Sequence, residues 1–313
     1  MSLEIGIVGL PGSGKTTLFN VLTHGHAGLA EFGRPHVGMA AVPDARLPQI
    51  AEVAGSAKAT PAAVRVLDVQ GTEAALLGGL RQAHALLGVI NGFAPGEDAT
   101  TQKETIELEL LVADRDHVEK RVERVARDAK SGDPRLKQEV AELENLLAHL
   151  EAEQPLSEYA GELPPELEPL TTKPLVWVEN GGPSGVDLKL EVELAELSDE
   201  EAAEFREGAP LLDDVLREIF SAGDLLTFFT ANENEARAWT LYRGATALEA
   251  AGTVHTDMAH GFVRCEVVRW SDLVESGSHA EAARRGLVRL ESKTYPVEEG
   301  DVLQIRFTPR RKG

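Results

Sequence analysis

The stretch Gly9-Leu10-Pro11-Gly12-Ser13-Gly14-Lys15-Thr16 follows an apolar run at residues 5–8 and precedes an amphipathic run at residues 17–22. The pattern G-x-x-x-x-G-K-[ST] between a strand and a helix is that of a phosphate-binding loop. Glycines allow the backbone to turn successive N–H groups inward, and the helix N-terminus adds partial positive charge at the same place. The sequence therefore predicts a nucleoside triphosphate site at the end of the first strand.

The side chains of this loop and of one later segment have expected parts in that site. Lys15 would reach the β- and γ-phosphates, and the Thr16 hydroxyl would coordinate Mg²⁺. Asp68, which ends the apolar run at residues 64–67, is expected to support the metal, and the N–H of Gly71 to approach the γ-phosphate. The predicted phosphate-binding residues are Gly9, Pro11, Gly12, Ser13, Gly14, Lys15, Thr16, Thr17 and Gly71, and the predicted metal ligands are Thr16 and Asp68. The pattern identifies no catalytic residue.

Composition and charge narrow the class of protein. The chain has 313 residues, of which 42% are hydrophobic and 27% charged, as in soluble globular proteins. We expect a cytoplasmic protein without membrane contact, because neither a secretory leader nor a long apolar span is apparent. Its single cysteine, Cys265, has no disulfide partner in the chain. The net charge of −21 argues against broad coating of nucleic acid, although basic residues cluster at 284–289 and 306–312.

Periodicity along the chain indicates an α/β protein in three parts. Strand and helix patterns alternate over residues 3–93, which favours a parallel sheet covered by helices. Apolar residues spaced three and four apart then predict two helices, broken at 131–134, that form an antiparallel hairpin. From about residue 224, short strands alternate with turns. The predicted domains are a nucleotide-binding domain (1–102 and 156–223), a helical hairpin (103–155) and a C-terminal α+β domain (224–313).

A loop that reads the base is expected after the strand predicted at residues 174–178. Asn180 lies there, followed by Gly181 and Gly182, a sequence equally typical of a plain turn. Glu179 is the adjacent carboxylate. Asn180 and Glu179 are therefore the predicted base-binding residues.

Motifs in the C-terminal part carry a family resemblance. They lie at residues 225–231, 235–240, 243–247, 254–257, 261–267 and 295–302, with a further match at 42–47. In these segments the chain resembles the YchF/Obg-like ATPase family. The resemblance implies a Ras-like P-loop NTPase domain, an inserted coiled-coil hairpin and a C-terminal TGS domain of β-grasp fold. It also implies slow hydrolysis of ATP, GTP or both, and contact with the ribosome or RNA through the TGS domain and the hairpin.

The chain departs from the family at both switches and at the base-reading motif. No threonine occurs between residues 24 and 57, and the second switch after Gly71 is short. The family's N-x-x-E becomes Asn180-Gly181-Gly182-Pro183, without the final carboxylate. Two hypotheses follow: a switch protein with slow turnover, or a catalytically degenerate scaffold that binds nucleotide without hydrolysing it. Nucleotide turnover that depends on Mg²⁺ would distinguish these two hypotheses. A third alternative, a small-molecule kinase, would explain the phosphate-binding loop but not the C-terminal motifs.

Overall fold

The computed structural model describes residues 3–23, 36–69, 77–93, 98–182, 185–195, 197, 199–205 and 211–308. The chain divides into two compact units. The first, called the nucleotide unit below, contains Glu4–Ala40 and Arg65–Val215, and the second, the C-terminal unit, contains mainly Ala41–Val64 and Leu216–Gly313. Among the described residues, no helix is long and apolar enough to cross a membrane.

Strands and helices alternate through most of the chain. The strands are β1 (Glu4–Gly9), β2 (His36–Val42), β3 (Ala59–Thr60), β4 (Ala62–Asp68), β5 (Ala85–Asn91), β6 (Leu175–Asn180), β7 (Leu225–Ala231), β8 (Ala236–Tyr242), β9 (Phe262–Arg269), β10 (Arg289–Glu291) and β11 (Asp301–Phe307). The α-helices are α1 (Lys15–Thr23), α2 (Arg46–Ala54), α3 (Ala99–Asp128), α4 (Pro134–Glu151), α5 (Leu188–Leu194), α6 (Asp199–Phe205), α7 (Leu211–Ala222), α8 (Ala247–Val254), α9 (Thr256–His260), α10 (Trp270–Ser276) and α11 (His279–Arg284).

The sheet of the nucleotide unit brings the site residues to one edge. Its strand order is β2-β4-β1-β5-β6. Strands β4 and β5 flank β1 in parallel, and β6 is parallel to β5. Since the carboxyl ends of parallel strands lie at the same edge of a sheet, Gly9, Asp68 and Asn180 meet there. The predicted α/β class of a P-loop protein is confirmed.

Helices α3 and α4 form the predicted helical hairpin. The chain reverses at Gly132, whose φ of 90° is left-handed, and Asp133 caps α4 by accepting a hydrogen bond from the Arg135 N–H. Pro134 occupies the first turn of α4, where its missing N–H costs nothing. Buried apolar side chains close the seam between the helices; they include Leu111, Val118, Val125, Leu143, Leu146 and Leu150.

A buried carboxylate fixes the base of the hairpin. Asp114 on α3 is 1% exposed and pairs with Arg81 at 2.6 Å. Its oxygens also accept hydrogen bonds from the Leu170 N–H and from the N–H and hydroxyl of Thr171. A buried ion pair is tolerated when its remaining lone pairs are satisfied in this way. The network ties the hairpin to the segment that leads into β6.

The C-terminal unit contains a second sheet, of order β10-β9-β11-β7-β8-β3. Strand β3 joins it through the pairs Ala59↔Ala236 and Thr60↔Arg237. Residues 41–64, which the sequence assigned to the nucleotide-binding domain, thus belong to this unit. The predicted domain boundaries and the β-grasp description of this part stay predictions. Cys265 is buried in β9, where burial raises the pKa of its thiol to about 12 and keeps it unreactive.

Candidate nucleotide-binding site

The phosphate-binding loop has the backbone geometry that anion binding requires. Gly12 and Gly14 have left-handed φ values of 80° and 105°. The Leu18 N–H donates to the Gly14 carbonyl at 2.8 Å, so the amides before it lie in the first turn of α1, ahead of any helical acceptor. Those N–H groups and the positive end of the helix dipole face a common point, which suits a phosphate group.

Lys15 holds a positive charge inside this loop. The residue is 9% exposed, and its ammonium donates to the carbonyl oxygens of Gly9 at 2.7 Å and Leu10 at 3.1 Å. Burial lowers the pKa of Lys15, and the charges of Asp68 and Glu109 oppose that shift. A bound phosphate would add a charge-assisted partner to an ammonium that is already positioned.

Thr16 and Asp68 are brought together as predicted metal ligands. The Thr16 hydroxyl donates to Oδ2 of Asp68 at 2.9 Å. Asp68 is fully buried, and its Oδ1 has no hydrogen-bond partner among the described residues. Buried carboxylate oxygens without partners are costly, and hydroxyl and carboxylate oxygens are ligands of hard divalent cations. The pair therefore fits a cation such as Mg²⁺ held directly or through water.

Sequence reasoning missed His36 in this neighbourhood. Its ring packs on Phe19 with centroids 5.7 Å apart, and its Nδ1 lies 3.9 Å from Asp68 Oδ2. The available signal was the position of His36 as a polar residue within the segment, residues 24–57, that lacks threonine. A single histidine in a short β pattern gives no stronger indication.

Asn180 braces the phosphate-binding loop. Its Nδ2 donates to the Ser13 carbonyl at 3.0 Å, and its Oδ1 accepts from the Leu188 N–H at 3.3 Å. A Cβ atom placed on Gly14 would lie 2.4 Å from this Nδ2, so the contact requires a glycine at position 14. The side chain thus connects the loop to the start of α5 and retains one amide N–H for a ligand.

Glu179 does not share the position of Asn180. Successive strand residues point to opposite faces of a sheet, so the two side chains leave β6 on opposite sides. The Glu179 carboxylate lies against Gly182, where an added Cβ would be 2.6 Å from its Oε1. The base-binding assignments of Asn180 and Glu179 stay predictions. Gly71, Pro183 and most of both switch segments lie outside the described residues.

Comparisons with known proteins match the C-terminal part of the chain and almost its whole length. The family model YchF-GTPase_C, described as a protein of unknown function (DUF933), matches residues 225–308. The Bacillus subtilis ribosome-binding ATPase YchF is 35% identical over 98% of this chain and 100% of the relative. The protein of the same name from Escherichia coli O157:H7 is 32% identical over 98% of this chain and 99% of the relative.

The alignment with the Bacillus subtilis protein is longer than this chain. It extends over 364 residues, whereas this chain has 313, so the relative carries residues that this chain lacks. The solved YchF GTPase of Schizosaccharomyces pombe has a TM-score of 0.79 and 24% identity, covering 97% of this chain and 98% of that one, which supports the fold. On the identity and coverage of these relatives, the chain belongs to the YchF family.

Proposed function

We propose that this protein is a cytoplasmic nucleotide-binding switch that binds ATP, GTP or both, hydrolyses them slowly and associates with the ribosome. The observation that carries the proposal is the assembled phosphate site, in which Lys15, the α1 N-terminus and the Thr16–Asp68 pair converge. The names of the two relatives, ribosome-binding ATPases, support both the chemistry and the partner.

Mg²⁺ is the proposed metal, with Thr16 as its direct ligand and Asp68 as its support. Held by these two residues, Mg²⁺ would supply positive charge that offsets the negative charge of the phosphates. Lys15 and the loop amides bind and orient the triphosphate. No threonine is present between residues 24 and 57 to orient the attacking water, which is the reason for proposing slow turnover.

The replacement Lys15→Ala tests the phosphate site. It removes a buried charge-assisted contact, so we expect triphosphate affinity to fall about 10- to 100-fold, or ~1.5–3 kcal/mol. Isothermal titration calorimetry with ATP and with GTP measures the change. Lys189→Ala, at an exposed position on α5, is the matched control and should bind as the wild type does. Equal affinity for wild type and Lys15→Ala would refute the proposed site.

The tip of the helical hairpin is the first proposed contact with the ribosome. Residues 120–137 carry seven basic and three acidic side chains, in a chain whose net charge is −21. Arg124, Lys130 and Lys137 are exposed there. A compact basic surface on an acidic protein favours local contact with phosphates of an RNA backbone.

The C-terminal arginines form the second proposed contact. Arg284 and Arg285 both pair with Glu281 on α11, and Arg289 lies 3.8 Å from Glu291 and 3.8 Å from Asp301. The pairs of Arg284 and Arg285 with Glu281 are exposed and contribute little energy, so these two arginines can exchange a carboxylate for a phosphate. Arg310, Arg311 and Lys312 belong to the basic cluster at residues 306–312 and lie outside the described residues.

Charge reversal separates the two surfaces. We expect the triple change Arg124→Glu, Lys130→Glu and Lys137→Glu to weaken co-sedimentation with ribosomes by about tenfold or more and to flatten its salt dependence. The double change Arg284→Glu and Arg285→Glu should have a smaller effect, because these arginines are already partly neutralised. Unchanged co-sedimentation in both variants would refute the proposal that either surface contacts the ribosome.

A further inference from the structure

His36 is a half-buried histidine whose two ring nitrogens are themselves buried. The side chain is 14% exposed, and neither Nδ1 nor Nε2 has a hydrogen-bond partner among the described residues. A buried polar nitrogen without a partner destabilises the folded state. Hydrogen bonding that stabilises the fold therefore does not explain the presence of histidine at this position.

Within the part of the chain that the structure describes, the imidazole is held by packing and not by hydrogen bonds. The ring lies against Phe19 on α1 at an interplanar angle of 30°. Gly38, two residues further along β2, allows α1 to come close, because a Cβ there would lie 2.3 Å from Cγ2 of Thr23. Strand β2 thus packs closely against α1, and this contact sets the orientation of the His36 ring.

The ring is directed toward the proposed metal site. Its Nδ1 is 3.9 Å from Oδ2 of Asp68, the oxygen that also accepts the Thr16 hydroxyl. The other oxygen of Asp68, Oδ1, is buried and has no partner among the described residues. Nδ1 of His36 and Oδ1 of Asp68 are therefore both without a hydrogen-bond partner at the proposed cation site, as expected of a site that its ligand completes.

We propose that His36 is a positioning residue for the metal support. When the triphosphate and its divalent cation bind, Nδ1–H of His36 donates to Oδ2 of Asp68, which leaves Oδ1 for the cation or its water. The inference rests on the proposed function, since it requires a metal-dependent nucleotide site. Residues that orient a metal ligand in this way typically contribute 10- to 100-fold in metal affinity.

Binding of Mn²⁺ tests this role without measuring turnover. Purified protein is saturated with a non-hydrolysable triphosphate analogue, and free Mn²⁺ is titrated by electron paramagnetic resonance. We expect His36→Leu to weaken Mn²⁺ binding by about tenfold or more. The same variant should keep or raise the thermal unfolding temperature without ligand, because leucine packs on Phe19 and removes the unsatisfied nitrogens.

A second pair of variants keeps the test decisive if His36→Leu fails to fold. Asparagine places an amide nitrogen near the position of Nδ1, whereas the glutamine amide reaches toward Nε2. His36→Asn should therefore bind Mn²⁺ within about threefold of wild type, and His36→Gln should resemble the leucine variant. Val37→Ala, at a 42% exposed position on the other face of β2, is the control and should bind as wild type.

The outcomes separate the two proposals. Wild-type protein that binds no triphosphate would overturn the proposed function, and the role of His36 with it. If wild-type protein binds the analogue and Mn²⁺, and the leucine and glutamine variants both bind Mn²⁺ as tightly as wild type does, the role of His36 alone would be overturned.

Discussion

The phosphate end and the base end of the candidate site differ in how their polar groups are occupied. At the phosphate end, the first amides of α1 and the Oδ1 atom of Asp68 are available to a ligand. At the base end, both atoms of the Asn180 amide bind the protein, and Glu179 leaves β6 on the opposite face. From this comparison we expect phosphate contacts to supply most of the binding energy and the base end to serve chiefly as a support for the loop.

The largest effect is expected from Gly14→Ala, which damages both ends at once. Alanine would hold a strained φ of 105° and place its Cβ 2.4 Å from Nδ2 of Asn180. Backbone strain of about 1–3 kcal/mol together with the clash should reduce triphosphate affinity on the order of 100-fold. Calorimetric titration of nucleotide measures the loss.

Gly12→Ala is the matched control for that variant. Gly12 has a similar left-handed φ of 80°, but an added Cβ would meet no atom within 4 Å. Its affinity should fall by about tenfold or less, since strain of roughly 1 kcal/mol is the only cost. Equal losses in both variants would mean that the contact with Asn180 does not matter to the loop.

A smaller effect is expected from Asn180→Ala. The change removes the hydrogen bonds to the Ser13 carbonyl and the Leu188 N–H, each worth about 1 kcal/mol. If Asn180 acts as a brace, ATP and GTP affinities should fall by the same factor, about tenfold. Binding of both nucleotides to this variant and to the exposed control Asn145→Ala decides the question. Loss of GTP affinity with ATP affinity unchanged would instead identify Asn180 as a base reader.

The placement of the residues at the phosphate end could be predicted from the sequence because it is set locally. A loop of eight residues between a strand and a helix fixes its own backbone geometry, so Lys15 and Thr16 lie where the motif places them. Asp68 could be predicted because it ends an apolar run, and parallel strands end at a common edge. The hairpin followed from its apolar spacing and from the break at residues 131–134.

The remaining features depend on contacts that spacing does not encode. Strand β2 contains Gly38 and has exposed Val37 and Met39, so its pattern does not resemble that of a buried strand. The brace formed by Asn180 joins positions 167 residues apart. The pairing of β3 with β8, which draws residues 41–64 into the C-terminal unit, is likewise a long-range contact.

Competition between ATP and GTP for the wild-type protein is the most direct test of the difference between the phosphate end and the base end of the site. Selection for guanine needs a carboxylate that accepts two hydrogen bonds, and the position of that carboxylate in the family motif is taken by Pro183. We predict that the two affinities lie within about tenfold, or ~1.4 kcal/mol, of each other. A preference for GTP above about a hundredfold, or ~2.7 kcal/mol, that disappears in Glu179→Ala would contradict this account, because it would make Glu179 the base reader.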